Sequence, residues 1–151
     1  MRIGIATDHG GFELKEQLSA YLRQAGHEVI DFGAHSLVPG DDYPDFVIPL
    51  AQAVSSGKVT RGIAACGSGV GASVCANKIH GIRAALVQDH YSAHQGVEHD
   101  AMNILCFGGR VIGFEVARDL SDAFLAAEFT GEERHVRRLN KVASLEAQVA
   151  A

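Results

Sequence analysis

The 151-residue chain has few cysteines, no excess of positive charge and no long apolar segment, and each shortage argues against a class of protein. Its three cysteines, Cys66, Cys75 and Cys106, are odd in number and lack CxxC spacing, which argues against a disulfide framework or a structural zinc site. The formal net charge is −5, so the overall balance does not predict nucleic-acid binding. No apolar run approaches the roughly 20 residues that a membrane-spanning helix needs.

The start of the chain, MRIGIATDHGG, has the pattern of a short strand and a polar turn rather than that of a signal peptide. We therefore expect a cytoplasmic protein. The length fits one ordinary domain, and a 47% share of hydrophobic residues allows a sizeable core. Because no internal repeat, low-complexity segment or linker divides the chain, residues 1–151 are predicted to form a single domain.

Short apolar runs alternate along the chain with amphipathic stretches, which predicts an α/β fold. The predicted strands are residues 2–7, 27–32, 62–66, 83–87 and 103–107. The predicted helices are residues 11–25, a helix after Pro44, a helix from the glycine-rich segment through Asn77, and residues 91–99, 113–127 and 134–150. This order predicts one parallel sheet with helices on both faces, and right-handed crossovers would gather the loops that follow the strands at one edge.

The last predicted helix, at about 134–150, comes after the strands of the sheet are complete. An appended helix of this kind often packs on a partner subunit, which would make the protein an oligomer. Docking of the helix on its own chain is an equally open alternative.

Polar residues follow several of the predicted strands, at the edge where an α/β sheet places its ligands. They are Asp8 and His9 after the first strand, Cys66 after the third, Asp89 and His90 after the fourth, and Gly108, Gly109 and Arg110 after the fifth. A single charged residue beyond a strand is usually just solvated. Their recurrence at one edge favours a functional site.

The segment Cys66-Gly-Ser-Gly-Val-Gly71 is the most informative part of the sequence. Closely spaced glycines let backbone N–H groups face an anion, and the helix that follows adds the positive end of its dipole. A thiol beside such a loop would have its thiolate stabilised. A base next to an anion site suits a reaction in which a proton leaves carbon and a negative oxygen develops. A structural thiol at the end of a buried strand is an equally open alternative.

The same segment has a second interpretation as a dinucleotide site. Residues 67–72 match the G-x-G-x-x-A fingerprint, and Asp89 lies about 20 residues later. The fingerprint usually follows the first strand, however, whereas this segment follows the third. The chain also has little room for both a complete dinucleotide fold and a substrate domain.

Two further groups of residues could take part in chemistry. His99 could transfer a proton to or from a substrate oxygen near neutral pH, although such a histidine is more often a surface or cap residue. Arg134, His135 and Arg138 could bind phosphate, because guanidinium binds phosphate oxygens bidentately, but a plain charged helix face is the alternative. A metal is not expected, since no HExxH motif and no His/Cys cluster with common zinc spacing is present.

With these residues in view, the sequence resembles the ribose-5-phosphate isomerase B family, which includes the galactose-6-phosphate isomerase subunits. The matching segments follow the family's order over nearly the whole chain: Thr7-Asp-His-Gly-Gly-Phe12, Asp42-Tyr-Pro44, Cys66-Gly-Ser-Gly-Val-Gly71, Ala76-Asn-Lys78, Gly81-Ile-Arg-Ala84, Tyr91-Ser-Ala93, Gly108-Gly-Arg-Val-Ile-Gly113 and Arg134-His-x-x-Arg138. The resemblance implies a Rossmann-like three-layer αβα sandwich with an extra C-terminal helix. It implies a homodimer, or a tetramer, with active sites shared between subunits, a small sugar phosphate as substrate, and no metal or nucleotide cofactor.

The resemblance also implies roles for individual residues. Cys66 matches the proton-transferring base, Ser68 keeps a hydroxyl where Thr is common, and His99 matches the residue that assists ring opening. The other matching positions bind substrate: Asp8 and Tyr43 the sugar, the backbone of Gly67, Gly69, Val70 and Gly71 the enediolate oxygen, Asp100 a hydroxyl, and His9, Arg110, Arg134, His135 and Arg138 the phosphate, some of them from the partner subunit. Some members use a Glu base within the glycine loop, but Ala72 occupies that place here.

One residue departs from the family pattern, which usually has His-Asn where this chain has His99-Asp100. An Asn can donate a hydrogen bond to a substrate hydroxyl, whereas an ionised Asp can only accept one. The expected activity is aldose–ketose isomerisation of ribose 5-phosphate to ribulose 5-phosphate, with tetrose, allose or galactose 6-phosphate as alternative substrates. Two different activities also stay open: a thiol hydrolase that uses Cys66 and His99, and a sugar-phosphate sensor without catalysis.

Overall fold

The computed structural model describes residues 1–149, with side chains through residue 147, and has the predicted α/β fold. The strands are β1 Arg2–Thr7, β2 Glu28–Asp31, β3 Arg61–Cys66, β4 Ala84–Leu86 and β5 Ile104–Gly108. The helices are α1 Phe12–Gln24, α2 Pro44–Ser55, α3 Val70–Ala76, α4 His90–Asp100, α5 Phe114–Ala126 and α6 Glu133–Val149, and a 3-10 turn at His9–Gly11 precedes α1. The predicted order of strands and helices is confirmed. Ala150, the predicted end of the last helix, lies outside the described residues.

The five strands form one parallel sheet in the order β2-β1-β3-β5-β4. Thr7 at the end of β1 pairs with Ala65, and Cys66 at the end of β3 pairs with Gly108 of β5. The three central strands therefore end side by side. The loops that follow them lie next to one another at this carboxyl edge of the sheet.

Helices cover both faces of the sheet, and each face has its own hydrophobic core. Side chains alternate between the two faces along each strand, so that Ile63 packs towards α1, α4 and α5 while Ala64 packs towards α2 and α3. On α1, Leu14, Leu18 and Leu22 are spaced four residues apart and are all buried against the sheet. This is the three-layer arrangement expected of a doubly wound fold.

The last helix, α6, makes few contacts with the rest of the chain. Gly81 donates its N–H to both carboxylate oxygens of Glu146 at 3.1 Å, which ties the helix to the loop before β4. Val142 and Leu145, by contrast, are 53% and 60% exposed. No helix within residues 1–149 is both long and apolar enough to cross a membrane.

Candidate active site

Three glycine-rich loops interlock at the carboxyl edge of the sheet. The backbone N–H of Gly109 donates to the carbonyl of Cys66 at 2.9 Å, and the backbone N–H of Arg110 donates to the carbonyl of Gly67 at 3.1 Å. A Cβ at Gly10 would lie 2.6 Å from the nitrogen of Gly67, and one at Gly108 would lie 2.7 Å from the backbone of Ser68. The loops after β1, β3 and β5 thus approach one another closely because glycines stand at their contacts.

Cys66 ends β3 and opens the glycine loop, which comprises residues 67–71. Its sulfur accepts a hydrogen bond from the N–H of Gly69 at 3.1 Å, and the residue is 5% exposed. Gly69 has φ +81°, and a Cβ there would lie 2.6 Å from the carbonyl carbon of Phe107, so this turn requires glycine. The loop therefore directs a main-chain donor at the thiol, as the sequence predicted.

The other two cysteines lie in apolar surroundings. Burial strongly raises the pKa of the Cys106 thiol above its usual range, with smaller contributions from Cys66 and Cys75. Burial also raises the pKa of Cys75. Both thiols therefore stay protonated at neutral pH and are poor bases.

Asp8, His9 and Tyr43 lie around the glycine loop. Asp8 is buried and accepts the N–H of Gly10 at 2.8 Å, which caps the 3-10 turn before α1. The ring of Tyr43 rests against Gly71, since a Cβ at Gly71 would lie 2.7 Å from its Cζ atom. Ser68 is exposed, and its hydroxyl accepts the N–H of Val70 at 3.3 Å.

Arg110 brings a positive charge to the same place. Its side chain passes over the glycine loop, about as close as a van der Waals contact: a Cβ built at Gly67 would lie 3.8 Å from its guanidinium. The residue is exposed, so its guanidinium can meet a ligand. The structure thus gathers Cys66, the glycine loop, Asp8, His9, Tyr43 and Arg110 at one edge.

Sequence reasoning missed one residue of this group, Asp41. Its Oδ1 atom lies 2.8 Å from the backbone nitrogen of His9 and 2.7 Å from the Nδ1 atom of the same residue. Asp41 lies in a loop rich in Gly, Pro and Asp, where no periodicity sets one acidic residue apart from another. Its position two residues before Tyr43, within an Asp-Asp pair, was the available signal.

The remaining predicted site residues lie at the opposite, amino edge of the sheet. His99 and Asp100 form the end of α4, which leads into the first residue of β5. Because Gly62 pairs with Ile104 and Cys66 with Gly108, the strands separate the two edges by about 13 Å. Within one chain, therefore, the structure does not bring His99 to Cys66.

His99 has its ring fixed by two neighbours. It stacks on His135 with ring centroids 4.1 Å apart, and its Nδ1 atom lies 2.7 Å from the amide nitrogen of Gln95. His135 is 1% exposed, its Nδ1 atom lies 2.9 Å from the hydroxyl of Thr130, and its Nε2 atom is buried without a partner among the described residues. The sequence assigned His135 a phosphate contact, but burial of its ring favours a supporting role behind His99.

The electrostatic surroundings of His135 agree with that role. Burial lowers the pKa of His135, and the nearby His99, Arg134 and Arg138 lower it further, while Glu132 acts in the opposite direction. Arg134 forms an ion pair with Glu132 at 2.9 Å, and both arginines are exposed on the first turns of α6. This edge therefore presents two guanidinium groups to the solvent.

Two other kinds of site can be tested against these contacts. Donor atoms of Asp8, His9 and Asp41 lie within 4.8 Å of one another, and His9 and Asp41 are joined by a hydrogen bond of 2.7 Å between Nδ1 and Oδ1. The carboxylate of Asp89, the candidate ribose ligand of a dinucleotide site, instead caps α4 by accepting the N–H of Ser92 at 2.8 Å. Hydrogen bonds from Ser92 lower the pKa of Asp89. Capping of α4 therefore explains the presence of Asp89 without a bound dinucleotide.

Comparison with known proteins identifies the family of the chain. A family model described as Ribose/Galactose Isomerase matches residues 3–142. The ribose-5-phosphate isomerase B of Escherichia coli is 42% identical over 145 residues, covering 96% of each chain. The D-erythrulose-4-phosphate isomerase of Pectobacterium atrosepticum is 39% identical over 131 residues, covering 87% of this chain and 86% of its own.

The fold is shared as well. The structure of a Clostridium thermocellum ribose-5-phosphate isomerase B superposes with a TM-score of 0.95 at 46% identity, covering 99% of both chains. The match therefore extends over nearly the whole of both chains. The chain therefore belongs to the ribose/galactose isomerase family of sugar-phosphate isomerases.

Proposed function

We propose that this chain interconverts ribose 5-phosphate and ribulose 5-phosphate through a cis-enediolate, with Cys66 as the base. The observation that carries the proposal is the hydrogen bond from the N–H of Gly69 to the sulfur of Cys66 at 3.1 Å. A main-chain donor in this position favours a sulfur anion and lies where a negative oxygen can also be stabilised.

The proton transfer uses one face of the sugar. The Cys66 thiolate takes the proton from C2 of the open-chain aldose, the electrons of that bond form the C1–C2 double bond, and the π electrons of the C1 carbonyl move to O1 to give the enediolate. The hydroxyl proton on O2 passes to O1. The electrons on O2 then form the C2 carbonyl while the C1–C2 double bond takes the proton back from the thiol at C1, which gives the ketose. Ser68 fits the oxygen-to-oxygen transfer, because its hydroxyl accepts from Val70 and keeps its own proton to donate.

Recognition of the phosphate draws on both edges of the sheet. His9 and Arg110 lie beside the glycine loop of one chain, whereas Arg134 and Arg138 are exposed at the far edge. We infer that a second copy of the chain brings its own Arg134 and Arg138 to the phosphate. Guanidinium groups on both sides would fix the position of the substrate relative to Cys66.

Ring opening requires the same second copy. His99 is separated from Cys66 by the length of β3 within one chain, so the partner would supply the histidine that opens the furanose ring. The exposed apolar side chains of α6, Val142 and Leu145, support this dimer, because a helix with so little burial on its own chain gains stability by packing on another. In this arrangement residues 1–149 form one domain whose last helix reaches the partner.

The proposal is tested by turnover of purified protein with ribose 5-phosphate, followed by NMR in heavy water. We expect ribulose 5-phosphate to form, with deuterium entering the carbon beside the carbonyl as the base exchanges its proton with solvent. NAD should give no saturable thermal stabilisation, and mass spectrometry should find no acyl-enzyme at Cys66. Binding of ribose 5-phosphate without turnover would instead indicate a sensor and would overturn the assignment.

A second substrate is favoured by one of the comparisons. The relative from Pectobacterium atrosepticum is a D-erythrulose-4-phosphate isomerase, and Asp100 in this chain stands in place of the Asn expected at a substrate hydroxyl contact. A four-carbon sugar phosphate is therefore the alternative substrate. Measurement of kcat/KM for tetrose, pentose and hexose phosphates decides between them, and a tetrose value at least tenfold above that of ribose 5-phosphate would replace the pentose assignment.

A further inference from the structure

We propose that Asp41 is the positioning residue of His9: its carboxylate fixes the rotamer and the tautomer of the imidazole so that Nε2 is presented to the phosphate of the substrate. The inference rests on the proposed function in one respect, since it takes His9 to be a phosphate ligand. It adds a residue to which neither the sequence pattern nor the family resemblance assigns a role.

One carboxylate oxygen accepts both donors of the same histidine. The Oδ1 atom of Asp41 lies 2.8 Å from the backbone nitrogen of His9 and 2.7 Å from its Nδ1 atom. Two hydrogen bonds to one oxygen fix the position of the main chain and the rotation of the ring together. A ring bound in this way loses little additional freedom when it meets a ligand.

The contact with Asp41 also decides which ring nitrogen carries the proton. A carboxylate accepts and does not donate, so the hydrogen must be on Nδ1. The Nε2 atom of His9 makes no hydrogen bond to any described residue, and the side chain is 29% exposed. In the neutral ring Nε2 is then an acceptor. Nε2 is therefore the ring nitrogen left to contact a phosphate, and as an acceptor it can take a hydrogen bond from a phosphate hydroxyl.

Burial of Asp41 strengthens its coupling to His9. Its side chain is 12% exposed, and its Oδ2 atom is buried without a partner among the described residues. A carboxylate that has lost most of its water depends on the donors that remain, and both belong to His9. Asp41 therefore holds the His9 ring in place more firmly than an exposed carboxylate would.

The loop that carries Asp41 is anchored to the end of β1. Thr7 and the Gly33–Ala34 segment exchange backbone hydrogen bonds of 2.8 and 2.6 Å. Lys15 of α1, which is fully buried, donates to Asp31 at 2.6 Å and to the carbonyl of Ala34 at 2.7 Å. These contacts tie the start of the loop that carries Asp41 to Thr7, two residues before His9.

Three charged side chains share a cluster or a cavity with His9, and a fourth, Arg110, lies over the adjacent glycine loop. Asp8 follows β1, Asp41 lies in the loop before α2, Glu13 lies on the first turn of α1, and Arg110 extends over the adjacent glycine loop. Only Asp41 among them has a hydrogen bond to the ring within the described residues. A change confined to Asp41 therefore isolates its effect from that of the remaining charges.

The test compares Asp41→Asn and Asp41→Ala with wild type, and uses Asp42→Asn as the matched control. Asp42 is an exposed acidic neighbour, so its change alters the net charge equally without touching the ring. Nitrogen-15 NMR of the histidines, with His9→Gln to assign the signal, reports the tautomer. An NMR titration with inorganic phosphate reports the affinity without any turnover.

We expect wild-type His9 to be protonated on Nδ1 and this signature to be lost in Asp41→Ala. The Kd for inorganic phosphate and the KM for ribose 5-phosphate should both rise about tenfold in Asp41→Ala, as for loss of a charge-assisted hydrogen bond, with kcat little changed. Asp41→Asn, which keeps an acceptor oxygen, should show an intermediate affinity. Asp42→Asn should match wild type.

Two results would overturn the inference: wild-type His9 protonated on Nε2 alone, or unchanged phosphate affinity in Asp41→Ala with a native melting profile. A wild-type protein that fails to isomerise any sugar phosphate would refute the proposed function, yet the tautomer and the phosphate titration would still decide the role of Asp41. Normal turnover with an unaltered tautomer in Asp41→Ala would refute the role of Asp41 and leave the function in place.

Discussion

The N–H of Gly69 points at the sulfur of Cys66 from 3.1 Å, across the tight turn that begins the glycine loop. The turn exists because Gly69 has φ +81° and because its backbone packs against Phe107 at the end of β5. The donor and the thiol are thus fixed by the sheet itself. Under the proposed mechanism, the loop would need no rearrangement to donate to the sulfur or to an enediolate oxygen.

Replacement of Cys66 by Ala should abolish turnover while the fold and the binding of phosphate persist, because the variant removes the base and keeps the loop. Cys75→Ala is the matched control, since Cys75 lies on α3 directly after the loop and burial raises the pKa of its thiol. The measurements are kcat with ribose 5-phosphate, thermal melting and titration with inorganic phosphate. Near-normal kcat in Cys66→Ala would show that another group is the base.

Two inactive variants should restore activity to each other when mixed. If the partner supplies His99, a heterodimer of Cys66→Ala and His99→Asn contains one site with an intact Cys66 and an intact partner histidine. After joint refolding, we expect about half of the dimers to be mixed and each of these to have one working site. Activity should therefore return to about a quarter of wild type. No recovery, with mixed dimers confirmed by native mass spectrometry, would contradict a shared site.

The effect of crowding at Gly69 can be separated from that of its left-handed backbone by comparison with Gly40, which has the same φ angle but no close neighbours. Gly69 and Gly40 both have φ +81°, but a Cβ at Gly69 would lie 2.6 Å from Phe107, whereas nothing lies within 4 Å of one at Gly40. Gly40→Ala should lower the free energy of unfolding by about 1–2 kcal/mol, the cost of a left-handed conformation, with kcat retained. Gly69→Ala should lower both stability and kcat more severely, as measured by denaturant unfolding and turnover. Equal effects of the two changes would deny a special role to the turn.

The burial of His135 predicts a loss of stability in acid. Because burial, followed by the charges of His99, Arg134 and Arg138, lowers the pKa of His135 below its value in the unfolded chain, the unfolded state binds the proton more tightly. The folded state is therefore favoured above about pH 6.5 and loses this advantage as the pH falls through that value towards the folded pKa. His135→Gln should lose less thermal stability than wild type between pH 8 and pH 5.5.

The control for this prediction is His90→Gln. His90 is an exposed histidine whose Nδ1 atom lies 3.1 Å from a carboxylate oxygen of Asp119. His90→Gln serves as the comparison because it removes an exposed histidine and leaves the buried ring of His135 in place. A His135→Gln profile parallel to wild type would show that His135 does not take up a proton on unfolding.

The sequence was sufficient to predict the sheet and the loops that follow its central strands. Buried runs such as β3 and the four-residue spacing of Leu14, Leu18 and Leu22 on α1 carry strong periodic signals. The placement of Cys66, Asp8 and Arg110 at one edge then follows from parallel topology. These features depend on local pattern and on a general rule of handedness.

Other parts of the site depend on packing that leaves no periodic trace. Asp41 lies in an irregular loop, and its hydrogen bond to His9 forms because that loop folds back on the end of β1. The burial of His135 arises from its stack on His99, a contact between two helices separated by β5 and α5. Motif matching named both histidines but could not show that one ring lies behind the other.

The glycines at the meeting points of the three loops have a consequence for how substrate preference can change. A Cβ at Gly10 would lie 2.6 Å from Gly67 and one at Gly108 would lie 2.7 Å from Ser68, so neither glycine can be replaced by a larger residue without moving the loops. Under a shared site, diversification towards shorter or longer sugars would then fall on the loop of Asp41 in one subunit, and on the end of α4 at Asp100 and the exposed turns of α6 in the other. In that arrangement a mutation in one subunit would alter the chemistry performed by its neighbour.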